Sequence, residues 1–238
     1  MNQENTIDWN KQSLFTTPLG QTVQRHKTAM LLEKEDKTTE FAQYVNELNE
    51  AITNLSQSFW DIDLTLKLIK FADPKIKSFK MTKVDRGDYL KYHFENYYFR
   101  LPKLKDQALQ LLNVLYRMGL GQSQDQERKV RKHEKVEHKK LFYFIDYLNE
   151  AFSDIKPIRN IIAHRGDLSD SNLTLLTTHQ IFPIAKEQYE RMVRMQINYA
   201  YVFENNQGAL KQSIIYLLLA LEEDFNNICA TLSRLPNA

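Results

Sequence analysis

Arg159 and His164 enclose Asn160 and three apolar residues in the segment KPIRNIIAHRG, residues 156 to 166. Imidazole, the side-chain group of histidine, is a common proton-transfer group, which makes His164 a candidate for that role. The guanidinium of Arg159 is permanently charged, and its planar set of donors matches the oxygens of a phosphate group. Asn160 could orient either side chain or the phosphate. Together these residue types are capable of acid–base chemistry beside a phosphate group, although Arg/His spacing alone does not establish it.

Three other Arg/His pairs have a comparable spacing: Arg86 with His93, Arg128 with His133, and Arg131 with His138. None of them has an Asn after the Arg or an apolar interior, and two lie in the charged segment 124 to 140. The pair at 159 and 164 instead falls on a short predicted helix that isoleucines can anchor, namely Ile155, Ile158 and Ile162. A structural alternative stays open, in which Arg159 forms a helix-end ion pair and His164 interacts with the helix dipole.

Metal and cofactor chemistry has little support in the sequence. His133 and Glu137 have the i,i+4 spacing of metal ligands, with His138 beside them, but histidines in a charged segment more often face solvent. No glycine-rich phosphate loop, nucleophile elbow or HExxH motif occurs. We therefore expect neither a metal nor a cofactor.

The composition favours helices as the elements that position these residues. Among 238 residues there are 6 Gly and 6 Pro, and 42% hydrophobic residues suffice for a folded core. The net charge of +2 creates no global field for nucleic acid, so any such site has to be local. The single cysteine fits a reducing compartment. Because neither a signal-like N-terminus nor an apolar run of membrane length occurs, we expect a cytoplasmic protein without a membrane anchor.

Apolar residues at helical spacing predict most of the elements. One helix carries Phe41 to Phe59, and the alternating stretch Ile62 to Leu68 either extends it or forms a strand. Residues 1 to 36 lack steady periodicity and are interpreted as an arm, and residues 124 to 140 as a solvated loop or helix start. Further helices are predicted over residues 88–100, 102–118, 141–152, 158–165 with Pro157 in the first turn, 183–204 and 209–232, with a break at 205–208.

Seven ring-bearing residues crowd one of these helices: Tyr89, Tyr92, His93, Phe94, Tyr97, Tyr98 and Phe99. They could stack on the bases of single-stranded nucleic acid. Helical spacing divides them between faces, however, so packing in the core and at an interface is the favoured interpretation.

The segment RNIIAH resembles the Arg-x4–6-His signature of the HEPN superfamily. Members of that superfamily are helical bundles and include many metal-independent endoribonucleases of toxin, CRISPR and phage-defence systems. Asn directly after the Arg is a frequent choice there, and FENYYFRLPKLKDQALQLL resembles an upstream helix of one bacterial branch. Antitoxin-regulated members often carry a Tyr two residues after the His. Gly166 occupies that position here, so control through such a tyrosine is unsupported.

The resemblance implies RNA as the substrate and two motifs in one shared cleft. RNA can cleave itself when its 2′-hydroxyl attacks the adjacent phosphate, so a metal-free enzyme need only move protons and stabilise the phosphorane. Positions five apart on a helix diverge by about 140°, so one straight helix does not easily aim Arg159 and His164 at one phosphate. The chain has one convincing motif, and we therefore expect a homodimer with a composite site. Lys156 and Arg165 would add charge for the RNA backbone.

We thus predict an all-α, HEPN-like helical bundle over residues 85–238, preceded by an N-terminal arm and helical extension over residues 1–84. The predicted function is a metal-independent endoribonuclease, as a toxin or phage-defence effector that an antitoxin or regulatory protein could control. The alternative is a non-catalytic HEPN-like module in which the aromatic residues 89–99 and the basic residues 128–140 bind a protein partner or RNA.

Overall fold

The computed structural model of the protein describes residues 13–32, 38–71, 86–121, 123, 125–165 and 186–234. Every regular element in these ranges is helical, and none of these helices is long and apolar enough to cross a membrane. The prediction of an all-α fold is confirmed. After a 3-10 turn at Leu14–Thr16 the elements are α1 (Pro18–Leu32), α2 (Glu40–Phe71), α3 (Arg86–Leu115), α4 (Gln126–Arg131), α5 (Glu134–His138), α6 (Phe142–Ala151), α7 (Ile155–Arg165) and α8 (Lys186–Leu232).

The chain divides into two compact units, each built from separate stretches of sequence. The first unit comprises Met1–Gln57, Leu104–Asn149 and Gly208–Ala238. The second unit comprises Ser58–Lys103 and Glu150–Gln207. Helices α2, α3 and α8 each contribute residues to both units. The boundary that we place between residues 84 and 85 from the sequence stays a prediction.

Helix α2 continues through residues 62–68, where the alternation of apolar and polar residues also allowed a strand. Ile62, Leu66 and Ile69 are buried, and their spacing of four and three residues follows one face of a helix. Leu64 and Leu68 are half-buried at the edges of that face. The stretch therefore extends the helix to Phe71 because its larger apolar residues fit one helical stripe.

Helix α3 contains Pro102 in its interior, so the prediction of two separate helices is wrong. A proline inside a helix removes one hydrogen bond and costs ~3 kcal/mol. Leu101, Leu104 and Ala108 are buried on either side of the proline. Because each buried leucine contributes about 1.5 to 3 kcal/mol, burial of the continuous stripe outweighs the lost hydrogen bond.

Helix α8 likewise runs through residues 205–208, where the polar sequence predicts a break. Phe203, Gln207, Leu210 and Ile214 are buried at spacings of four, three and four residues. The amide of Gln207 donates a hydrogen bond to a carboxylate oxygen of Asp63. The predicted break is wrong because this buried face offsets the ~1 kcal/mol that a glycine costs in a helix.

In the first unit, α1 is a helix that the sequence pattern did not predict. It buries Leu19, Val23 and Met30, and the ring of His26 lies edge-on to Phe41 at 5.5 Å. This part of the N-terminal segment therefore contributes to the core of the first unit. Residues 1–12 lie outside the described ranges.

The second unit has an aromatic core on α3 and α8. Tyr97 stacks on Phe203 with 3.9 Å between ring centroids, and its hydroxyl donates to the Phe203 carbonyl oxygen at 3.2 Å. Phe94 meets Phe203 edge-on at 5.5 Å. On α2, the Ile69 carbonyl oxygen accepts a hydrogen bond from the Gln196 amide at 2.6 Å. These contacts join α2, α3 and α8 within the unit that also contains α7.

The turn before α1 depends on the absence of a side chain at Gly20. A Cβ atom there would lie 2.6 Å from the Leu14 carbonyl oxygen and 2.8 Å from the Phe15 Cα. We therefore expect Gly20→Ala to lower the free energy of unfolding by about 1 to 3 kcal/mol, as overpacking typically does. Urea unfolding followed by circular dichroism measures this loss.

Gly121→Ala is the matched control, because no described residue other than its chain neighbours lies within 4 Å of a Cβ atom at that position. We expect its stability to stay within about 0.5 kcal/mol of the wild type. Equal destabilisation by both substitutions would contradict the steric explanation for Gly20.

Candidate functional site

Helix α7 carries the Arg159/His164 motif and begins immediately after a turn at residues 152–154. The backbone amides of Ile155 and Lys156 both donate to the Phe152 carbonyl oxygen, at 3.2 and 3.0 Å. The helix starts three residues before the predicted Ile158, at Ile155. Pro157 still lies in the first turn, where a helix needs no amide donor, so its predicted role is confirmed.

One face of α7 is apolar and anchors the helix in the second unit. Ile155 and Ile162 are buried, and Ile158 is half-buried between them. These are the isoleucines that the sequence pattern assigns to the anchor. The opposite face of α7 therefore points to solvent.

The predicted site residues occupy that solvent face. Lys156, Arg159, Asn160 and His164 are all exposed. Within the described residues, their side chains form no hydrogen bond or ion pair, which leaves them available to a ligand. Arg165 ends the helix, and its side chain lies outside the described part of the chain.

Helical geometry fixes how these exposed residues share the face. Lys156, Asn160 and His164 follow one another at four-residue spacing, so each is rotated by about 40° from the previous one. Arg159 lies on the other side of Lys156, and the small Ala163 falls between them. Arg159 and His164 thus mark the two edges of one surface and diverge by about 140°.

The charge of α7 is of one sign. The helix contains Lys156, Arg159, Arg165 and the titratable His164, and no Asp or Glu. A local cationic surface can therefore exist although the whole chain has a net charge of only +2. Such a surface is suited to a polyanionic ligand.

The competing Arg/His pairs in the charged segment are engaged elsewhere in the first unit. Arg128 forms an ion pair with Asp125 at 3.0 Å, and Arg131 forms a two-pronged ion pair with Asp146. The ring of His133 stacks on Tyr116 at 5.6 Å. These contacts give Arg128, Arg131 and His133 structural roles, whereas His138 is exposed.

The third competing pair has its histidine in the interior. His93 is 8% exposed and lies between the rings of Tyr89 and Tyr92, at 4.4 and 5.2 Å. Burial, with a smaller effect of the nearby Arg100 charge, lowers the pKa of His93. The side chain of Arg86 lies outside the described residues. His93 is therefore a core histidine.

The aromatic residues of α3 divide between the core and the surface. Phe94 and Tyr97 are buried, whereas Tyr92 and Phe99 are exposed. The seven rings therefore do not form a single stacking surface. No group of three or more His, Cys, Asp or Glu side chains in the described ranges is placed to hold a metal ion, His133, Glu137 and His138 included.

A groove in the first unit was not anticipated from the sequence. Its volume is about 500 Å³, and α2 and α3 line it chiefly with polar side chains. Glu47 and Glu50 lie along one wall, while Gln107 and Gln110 lie along the other. Because the two glutamates repel phosphate groups, this groove does not suit an RNA backbone.

Comparison with known families agrees with the all-α fold. Residues 44–228 match the sequence model of the Cthe2314-like HEPN family, and the chain belongs to this family. The predicted superfamily membership is thereby confirmed. The match begins within α2, upstream of the domain boundary that we predict. No curated protein and no solved structure matches the chain significantly.

The buried His93 predicts a loss of stability in acid. Because its folded-state pKa lies below the ordinary value near 6.5, the unfolded chain binds a proton more readily than the folded chain. The contribution to stability is complete above pH 6.5 and is lost as the pH falls toward the folded-state pKa. We therefore expect the free energy of unfolding to decrease more between pH 7.5 and 5.5 in the wild type than in His93→Gln.

Urea titrations at the two pH values measure this difference. His138→Gln removes an exposed histidine and should leave the pH dependence of the wild type unchanged. If the pH dependence of His93→Gln equals that of the wild type, His93 is not the titrating group.

Proposed function

We propose that the protein is a metal-independent endoribonuclease that cleaves RNA through attack of the 2′-hydroxyl. One observation carries the proposal: Arg159, Asn160 and His164 stand exposed and unpaired within the described residues, on a helix that Ile155 and Ile162 anchor. The chain belongs to a family of the HEPN superfamily, and many members of that superfamily are metal-independent endoribonucleases. The competing pairs have structural contacts instead.

The proposed reaction forms a bond between the 2′-oxygen and phosphorus and breaks the bond between phosphorus and the 5′-oxygen. The proton of the 2′-hydroxyl leaves to a base, and the departing 5′-oxygen receives a proton, so the products are a 2′,3′-cyclic phosphate and a 5′-hydroxyl. His164 is the proton-transferring group. Arg159 stabilises the charge of the phosphorane. Asn160 orients one of these groups, and Lys156 and Arg165 hold the RNA backbone.

The different directions of Arg159 and His164 on α7 support a homodimeric enzyme. Since Arg159 and His164 point about 140° apart, a phosphate that meets one of them does not meet the other on the same helix. A second copy can supply the missing group from its own α7, and a twofold arrangement makes the two contributions equivalent. The proposal places this dimer in the cytoplasm as a toxin or phage-defence effector under the control of a neutralising protein.

A non-catalytic HEPN-like module is the second candidate. The observation in its favour is that the side chains of Arg159 and His164 on a single α7 do not point toward a common position. Such a module would bind RNA or a protein partner through its cationic surfaces without cutting.

Cleavage of a labelled, structured RNA in the presence of EDTA tests the proposal. We expect the wild type to cut in the chelator and His164→Ala to lose about 100-fold or more of the rate, the usual contribution of acid–base catalysis. The fragments should carry 5′-hydroxyl and cyclic phosphate ends. His138→Ala removes an exposed histidine of a competing pair and should cut at the wild-type rate.

Circular dichroism and sedimentation must show that His164→Ala keeps its fold and its oligomeric state. Unaltered cutting by His164→Ala would exclude the proposed role of His164. Absence of cutting by the wild type across several classes of RNA would favour the non-catalytic module.

The composite site has its own test in mixed dimers. Arg159→Ala and His164→Ala should each be inactive, but a dimer of one copy of each retains one Arg159 and one His164 on different chains. We expect co-refolded mixtures to recover part of the wild-type rate. A mixture that is as inactive as its components, although mixed dimers are detected, would contradict sharing of the site between copies.

A further inference from the structure

We propose that α4, α5 and α6 of the first unit carry a binding surface for single-stranded RNA, separate in sequence from the motif on α7. This lysine–tyrosine surface consists of Lys129, Lys132, Lys135, Lys140, Tyr143 and Tyr147. The inference rests on the proposed function, because it names how an RNA substrate would be held outside the cleavage motif.

The lysines of this surface are the unpaired part of a basic segment. Residues 128–140 contain seven Lys or Arg and two Glu. Three of the seven cations have acidic partners: Arg128 with Asp125, Arg131 with Asp146, and Lys139 with Asp224. The four lysines of the surface are exposed and form no ion pair within the described residues. Their charge is therefore available to phosphate groups.

The tyrosines of the surface are exposed although they are large aromatic residues. Tyr143 is 65% exposed and Tyr147 is 39% exposed. They lie four residues apart on α6, so they share one face, while Ile145 and Leu148 are buried on the other. The ring of Tyr143 also meets Phe142 at 4.5 Å. Two adjacent rings in solvent provide a platform on which unpaired bases can stack.

Specific contacts bring the basic and aromatic parts together. Arg131, the last residue of α4, pairs with both carboxylate oxygens of Asp146 on α6. Asp146 lies between Tyr143 and Tyr147 along the exposed face of α6. Lys140 has a left-handed backbone with φ of 56°, and the adjacent Leu141 amide donates to the Val136 carbonyl oxygen at 2.9 Å. This turn leads α5 directly into α6, and the Tyr143 amide donates to the Lys140 carbonyl oxygen at 3.2 Å, so Lys140 lies one turn before the two tyrosines.

The surface rests on a fixed scaffold. Lys105 on α3 contacts Glu127 on α4 at 2.7 Å and Asn149 on α6 at 2.6 Å. The Asn149 amide donates to the other Glu127 oxygen at 2.7 Å. Burial alone would raise the pKa of Glu127, but the hydrogen bonds from Lys105 and Asn149 lower it overall. Because this triad is charged and hydrogen-bonded, it holds α3, α4 and α6 in one arrangement.

The combination of these groups favours a single-stranded nucleic acid over duplexes and acidic proteins, and the proposed ribonuclease function makes that strand RNA. Stacking on Tyr143 and Tyr147 requires bases whose faces are free, which a duplex does not offer. Phosphate groups spaced along the strand match the dispersed lysines. An acidic protein could neutralise the lysines, but it would gain no stacking from the tyrosines.

Fluorescence anisotropy with a labelled, unstructured 20-nucleotide RNA tests the surface. The full-length chain with His164→Ala serves as the background, so that cutting does not disturb the measurement. We expect an added Tyr143→Ala to weaken binding about tenfold, whereas Tyr143→Phe should preserve it because phenylalanine also stacks. Lys129→Gln with Lys132→Gln should reduce the salt dependence of log K by about 1.4, or about 0.7 per phosphate contact.

Matched controls separate the surface from general effects of charge and ring loss. Lys67→Gln with Lys103→Gln removes the same charge from two exposed lysines elsewhere, and Tyr201→Ala removes an exposed tyrosine of α8. These controls should bind RNA like the background. Thermal unfolding must show that all compared variants remain folded.

Equal weakening by the surface variants and their controls would overturn the proposal. An equal affinity for a duplex of the same length, together with no effect of Tyr143→Ala, would also overturn it, because that result would indicate electrostatic contact alone.

The binding-surface proposal and the ribonuclease proposal can fail independently of each other. A wild type that never cuts RNA, but loses binding with Tyr143→Ala, retains the surface and rejects the ribonuclease. If the wild type cuts RNA but the surface variants bind RNA like the background, the ribonuclease proposal stands and the binding surface is rejected.

Discussion

Continuous burial of one apolar stripe along each long helix is the constraint on which the rest of the structure depends. In α3 and α8 a buried stripe continues past Pro102 and Gly208, which are residues that locally disfavour a helix. Each interruption costs about 1 to 3 kcal/mol, whereas each large buried side chain contributes about 1.5 to 3 kcal/mol. The helices remain intact because several such side chains lie around each interruption.

The same principle divides α7 into a buried anchor and a solvent-exposed face that carries the proposed site. Ile155 and Ile162 occupy the interior, and this leaves Arg159, Asn160 and His164 in solvent with no competing partner among the described residues. A catalytic group needs a rigid base and a free functional atom, and an amphipathic helix provides both. The arrangement has one geometric consequence: Arg159 and His164 lie at opposite edges of the exposed face, so one helix does not direct both side chains at one phosphate. Dimerisation is a physical remedy for that divergence.

Charge in this protein is organised locally. The nearly balanced totals of 32 basic and 30 acidic residues conceal a helix without carboxylates, α7, and a basic segment in which acids neutralise three of seven cations. The groove between α2 and α3 has the opposite character, with Glu47 and Glu50 on its wall. The described surfaces therefore differ in the sign of their local charge, although the net field is weak.

The sequence by itself determined the helical class, the family and the short helix around the motif, because each depends on residues that are near neighbours along the chain. Isoleucine spacing in residues 155–162 was sufficient to predict which face of α7 is buried. The tertiary structure decided the continuity of α3 and α8, the presence of α1 in the core, and the difference between paired and unpaired cations. Lys139 forms an ion pair because Asp224 on α8 lies next to it. His93 and His138 both belong to an Arg/His pair of similar spacing, but His93 is buried against Tyr89 and Tyr92 whereas His138 is exposed. Such outcomes depend on burial and on partners distant in sequence, which local spacing does not encode.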